Sequence, residues 1–123
     1  MKYLRTFENK ELEKIIEYHD NGNIKFILYK LYNLFHREDG PAYQRWYKNG
    51  KQATELYIIN GIYHREDGPA IQKWFENGKI EHEEYYIKGY SYKKEDWINK
   101  LKEIKSPHYE EQKILYDMEI YNL

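Results

Sequence analysis

Seven consecutive residues, His-Arg-Glu-Asp-Gly-Pro-Ala, occur twice in a chain of 123, at His36–Ala42 and again at His64–Ala70. The offset is 28 residues, and it holds well beyond the motif. Laid over one another without a gap, residues 15–42, 43–70 and 71–98 put Tyr18, Trp46 and Trp74 in one column and Asn21-Gly22, Asn49-Gly50 and Asn77-Gly78 in a second. Tyr29, Tyr57 and Tyr85 form a third column, and Leu31, Ile59 and Ile87 a fourth. A fixed period of this length marks a repeat architecture, in which each unit buries its apolar residues against its neighbours.

Each unit contains its own punctuation. Asn-Gly favours the type I′ turn, whose two central residues both need positive φ. Its flanks are aromatic and β-branched, as strands prefer. The unit therefore predicts a hairpin with its tip at Asn49-Gly50, matched by Gly22 and Gly78, and a second tight turn at Asn60-Gly61. Tyr32-Asn33 and Lys88-Gly89 occupy that second position in the other units. Within the doubled motif, Asp39-Gly40-Pro41 and Asp67-Gly68-Pro69 carry turn chemistry: an Asp that bonds nearby amides, a Gly for unusual φ, a Pro that cannot join a ladder. Arg65 and Glu66 are expected on opposite faces of a strand, and His64 as a hydrogen-bonding residue under the turn. The motif reads as structural rather than catalytic.

The ends depart from the period. "FENKELEKIIEY" from Phe7 echoes "FENGKIEHEEYY" from Phe75, which predicts a degenerate hairpin or cap over 1–14 with its turn around Asn9-Lys10. Where the motif would recur a third time, residues 92–98 read "YKKEDWI". Trp97, Leu101 and Ile104 then share one helical face, with Ser91 as an N-cap. Ser106-Pro107 reads as a second N-cap with Pro at the first helical position, and Ile114, Met118 and Tyr121 as that helix's apolar stripe. The expected fold class is mainly β: one domain over 1–123, an elongated antiparallel sheet of three stacked hairpin repeats over 15–98, closed by a helical cap of one or two short helices over 91–123.

Composition narrows the function. The chain has no cysteine, which excludes disulfides and thiolate metal sites. Lys plus Arg is 20 against 21 Asp plus Glu, with the signs mixed along the chain, so no basic stripe marks a nucleic-acid binder. No apolar run is long enough to insert in a membrane and no signal-peptide core follows the first residues, so the expected location is cytoplasmic. Mean hydropathy is low at −1.06, yet 15 tyrosines and 3 tryptophans argue for a folded, aromatic core.

At "WYKNGK" and "ELYIINGIYHREDGPA" the chain resembles the MORN-variant repeat proteins of bacteria, phages and amoeba-infecting giant viruses, some of them antitoxin components. The resemblance covers residues 15–89. It implies stacked hairpins in one twisted sheet, and an interaction or scaffold role without shared catalytic residues; a virion component or a counter-defence protein would fit, in a virion or host cytoplasm.

The chemistry weighed against that role is thin. Only Ser91 and Ser106 could serve as hydroxyl nucleophiles, and neither lies in the motif. His36 and His64, in equivalent positions of a stack, start about 10 Å apart at two strand spacings, too far to share a metal ion. The expectation is a non-enzymatic module without metal or cofactor. Strand alternation puts Trp46 and Trp74 on one face and Tyr47 and Phe75 on the other; the second pair is the expected binding surface for a protein partner or a second copy. A carbohydrate or peptide ligand on an exposed aromatic face is the alternative.

Overall fold

The computed structural model of the chain describes residues 2–5 and 11–122, and for 2–5 and 11 the backbone only. Among them are the strands β1 (Lys2–Arg5), β2 (Glu11–Tyr18), β3 (Ile24–Leu31), β4 (Leu34–Phe35), β5 (Tyr43–Trp46), β6 (Gln52–Leu56), β7 (Ile58–Ile59), β8 (Ile62–Tyr63), β9 (Ile71–Trp74), β10 (Ile80–Ile87) and β11 (Tyr90–Tyr92). Two helices follow, α1 (Lys94–Glu103) and α2 (Tyr109–Tyr121). The architecture is the expected one: an antiparallel sheet of successive hairpins with two C-terminal helices. Its strands run β1-β2-β3-β5-β6-β9-β10-β11, with β4 folded back on β3 and β7-β8 as a separate ribbon. The order is linear, so the sheet is an open strip with β1 at one end and β11 at the other.

The N-terminal residues form strands, as the echo predicts, with β1 antiparallel to β2. The turn expected at Asn9-Lys10 lies outside the described residues. The three tight turns have the predicted type I′ character: φ is positive at Tyr32 and Asn33, at Asn60 and Gly61, and at Lys88 and Gly89. The hairpin tips differ. Gly50 takes φ +88°, but Asn49 is not among the left-handed residues. The Tyr47 N–H donates to the Lys51 carbonyl at 2.8 Å and the Gly50 N–H to that of Tyr47 at 2.9 Å. This is a three-residue loop, a type I turn closed by a left-handed glycine. Asn49 stays right-handed because its Oδ1 accepts the Lys51 N–H at 2.9 Å. Gly22 and Gly78 repeat the geometry.

Register separates the sheet into two faces. Phe26, Arg45, Thr54 and Lys73 lie side by side across four strands, and Leu28, Tyr43, Leu56, Ile71 and Glu84 form the next row on the same face. The alternate residues, including Gln44, Glu55, Gln72 and Glu83, face the other way. The core lies on that second side, at the β10 end. Tyr85 and Ile87 pack there against Trp97, Ile98 and Leu101 of α1. Full burial of Ile87, Trp97 and Leu101 contributes roughly 1.5–3 kcal/mol each.

The helices correct three expectations. Ser91 is not a cap but belongs to β11, and α1 starts after Lys93 with no side-chain cap. Ser106 does accept the His108 N–H, at 3.2 Å, but a turn forms first and α2 begins at Tyr109 rather than Pro107. The stripe of α2 faces outward: Ile114, Met118 and Tyr121 are 59%, 44% and 69% exposed. Tyr109 and Tyr116, on the opposite side of the helix, pack on the core instead.

Candidate functional site

The doubled motif is a joint between repeats. In each copy the histidine Nδ1 accepts a backbone N–H from the tight turn of the following unit: Asn60 to His36 and Lys88 to His64, both at 2.9 Å. The residue before the histidine takes a second bond, Gly61 N–H to Phe35 O and Gly89 N–H to Tyr63 O. The arginine N–H donates to Ile58 or Tyr86 of the next unit. Each motif is thus a socket for the type I′ turn one unit on, which requires all three elements at a fixed spacing.

The arginine does not stand on a strand. Arg65 folds back so that its guanidinium lies 3.8 Å from the Tyr57 ring centroid, while Nε donates to Asp67 at 2.8 Å and Nη1 to the Pro69 carbonyl at 3.1 Å. Arg37 repeats this over Tyr29, with Asp39 and Pro41. Its hydrogen bond and charge hold the Asp39 carboxyl below the ordinary carboxylate value. The role expected of the two glycines also changes. Gly40 and Gly68 do not adopt left-handed φ; a Cβ on Gly68 would meet the Arg65 guanidinium at 2.7 Å, and one on Gly40 that of Arg37 at 2.9 Å. Glycine is needed there because a guanidinium lies against the backbone. The third tyrosine of the column, Tyr85, has no arginine. Trp97 fills that place, 4.8 Å between centroids, and its indole N–H donates to the Arg65 carbonyl at 3.1 Å.

The second motif gains what sequence reading placed elsewhere. Ser106 returns beside it, close enough to favour the charged form of the Glu66 carboxylate, which meets His64 Nε2 at 3.0 Å. Burial pushes the Glu66 carboxyl up, but Ser106 and His64 outweigh it and leave the group below its ordinary value of 4.5. Serine, carboxylate and imidazole are therefore together, in an order that cannot activate the hydroxyl. The carboxylate stands between the other two. The His64 Nδ1 is occupied by the Lys88 amide, so the neutral ring carries its proton on Nε2 and aims it at Glu66. In the first motif Glu38 has no such serine, and its carboxylate stays 3.6 Å from His36. A groove of about 600 Å³ runs between the two motifs, with Pro107 and His108 on its rim. Among the described residues, no three His, Cys, Asp or Glu side chains gather as metal ligands.

The aromatic residues singled out in the sequence are placed as follows. Trp46 and Trp74 follow Gln44 and Gln72 by two positions and share their face, each partly exposed. Tyr47 lies just beyond β5, on the turn, and is not a strand-face residue; its hydroxyl donates to the Trp74 carbonyl of the next unit at 2.7 Å. His19 holds the Trp46 carbonyl in the same way at 2.9 Å. Phe75, the third of this column, has no polar atom to offer and is 49% exposed. Sequence reading missed the larger feature on that side. Phe26 and Phe35 pack around Tyr43 at 6.0 and 6.3 Å, and Tyr63 meets Tyr86 at 5.1 Å. Between these clusters runs a groove of about 450 Å³ lined by Tyr43, Leu56, Tyr63 and Ile71, with Arg45, Lys73, Glu81 and Glu84 at its margin. No helix residue lines it. The signal was present as alternation along β5, β6 and β9, at residues other than the conspicuous tip aromatics.

No protein family, curated protein or solved structure matches the chain. No helix among the described residues is long and apolar enough to cross a membrane.

Proposed function

We propose that the chain is a MORN-variant type repeat protein that acts without chemistry of its own, binding a protein partner through the face opposite its helices. The supporting observation is the groove lined by Tyr43, Leu56, Tyr63 and Ile71, left open while the helical cap packs on the other side of the sheet. Aromatic and aliphatic side chains held in a rigid sheet lose little entropy on binding, and a few central rings dominate such interfaces. Arg45 and Lys73 stand at its margin together with Glu81 and Glu84, so the groove suits a partner with charges of both signs around an apolar centre. A cytoplasmic or virion setting, and a scaffold or antitoxin-like role, accord with this reading.

The test is a double variant, Tyr43→Ser with Tyr63→Ser, compared with the native chain in pull-down from its own cell and in light scattering. Loss of the captured protein, or of self-association, with an unchanged circular dichroism spectrum is the expected result. Undiminished capture by the folded variant would overturn the assignment of this face.

A further inference from the structure

The face that carries the helices has a second, separate feature beyond them. Tyr18, Trp46 and Trp74 hold one register position in β2, β5 and β9, each paired across its hairpin with Ile24, Gln52 or Ile80 next to a bulge. One strand lies between β2 and β5 and one between β5 and β9. At about 4.8 Å per strand the three rings recur roughly every 9.6 Å. That is the length of a disaccharide in an extended β-1,4-linked hexose chain. The rings are accessible: Tyr18 is 58% exposed and both tryptophans partly so. Neither the Trp46 nor the Trp74 indole N–H has an acceptor among the described residues.

Polar groups recur at the same interval. Two positions before each tryptophan, the Gln44 amide donates to Glu55 Oε2 at 3.0 Å and the Gln72 amide to Glu83 Oε2 at 2.6 Å. In each pair the amide oxygen and the carboxylate Oε1 have no donor among the described residues. Neither glutamate makes an ion pair there. A row of acceptors suited to pyranose hydroxyls thus runs beside the row of rings, whose apolar faces suit the C–H face of the sugar. Glu55 adds selection by charge, attracting ammonium groups and repelling uronates and sulfates; Glu83, toward the helices, shares its groove with Arg65 and Lys94.

We propose that the Tyr18–Trp46–Trp74 row binds a single chain of β-1,4-linked glucosamine. Sheet twist of about 20–25° per strand turns successive rings by roughly 40–50°, so the row follows one soluble, helically twisted chain and not a flat crystalline surface. The site is on the opposite face from the proposed protein-binding groove and stands or falls independently of it.

The test titrates the full chain with a β-1,4-linked glucosamine hexasaccharide, read by tryptophan fluorescence and calorimetry, beside the corresponding β-1,4-linked glucose and glucuronate oligomers. Saturable binding is expected, tightest for glucosamine and absent for glucuronate. Trp46→Ala should weaken it about ten-fold, the order of one lost stacking platform, whereas Tyr63→Ser on the other face should leave it unchanged. Because Trp46→Ala could unfold the sheet, Glu55→Gln with Glu83→Gln is the second variant: it keeps the polar contacts and should reduce glucosamine affinity to that of the glucose oligomer. No saturable binding, equal affinity for the glucosamine and glucuronate chains, or insensitivity to both variants would overturn the proposal.

Discussion

At Gly68 a single added carbon would meet a guanidinium at 2.7 Å. A long side chain would ordinarily swing away, but Arg65 is held by Asp67, by the Pro69 carbonyl and by the Tyr57 ring. Gly68→Ala is therefore expected to cost about 1–3 kcal/mol, as overpacking does. Adding Arg65→Ala should remove part of that cost, since the clash then has no second party. Urea melts of the two single variants and the double variant check this; strictly additive losses would contradict it. Glu66 gives a pH signature. Its native carboxyl titrates below the unfolded value, so its contribution is complete above that value and is lost as pH falls through the lower native one. Glu66→Gln should flatten the decline of stability as pH falls below the ordinary glutamate value, measured by denaturant melts across the acid range. The motif's turn chemistry was legible in Asp-Gly-Pro. The reason for its glycine was not, because the arginine's return onto its own loop depends on a tyrosine eight positions earlier, on the far side of the tight turn at Asn60-Gly61. Ser106 was equally hidden, since nothing local to it indicates which loop it will meet.

Among the elements, the β3–β4 hairpin contains the least favourable turn. Tyr32 and Asn33 are both left-handed, at φ 50° and 65°, where the other two units place a glycine second. Asn33→Gly is expected to stabilise the chain by a few tenths of a kcal/mol up to about 1 kcal/mol, by relieving that conformation; a shift of the thermal midpoint upward checks it. For α2 the structure makes a sharper statement. Ile114→Ser with Met118→Ser should change stability by less than about 0.5 kcal/mol each, as exposed positions do, whereas Leu101→Ala in α1 should cost about 2–5 kcal/mol. Comparable losses from both would mean that α2 is docked the other way round. Helix and strand were readable from period, but the orientation of α2 was not. It has two apolar stripes at helical spacing, Ile114/Met118/Tyr121 and Tyr109/Tyr116. Hydrophobicity ranks the first higher. Tyr109 and Tyr116 pack inward because that side of α2 also aligns Gln112 with the Asp67 carbonyl at 3.3 Å and Glu119 with Lys94 at 2.5 Å.

Across the whole molecule, the three units are held in line by the same few bonds repeated. The His36–Asn60 and His64–Lys88 contacts are one contact, 28 residues apart. The accessible surface of 8321 Å² exceeds the roughly 7,100 Å² of a compact monomer of this size, as an open strip should. This level was the most legible, because a period in the sequence becomes a period in space once each unit's turns are recognised. The terminal unit was legible only as a departure: Lys93 stands where the third arginine would be, and nothing in the period shows that Trp97 will cover Tyr85 instead. The doubled motif joins one unit to the next in an open, linear stack. Inserting a second copy of residues 43–70 after Ala70 and measuring the maximum dimension of both chains by small-angle scattering tests this. Every joint would be satisfied again, with two more strands in the sheet. A folded protein longer by about 10 Å is expected; an unfolded profile, or an unchanged dimension with the insert looped out, would rule out the linear stack.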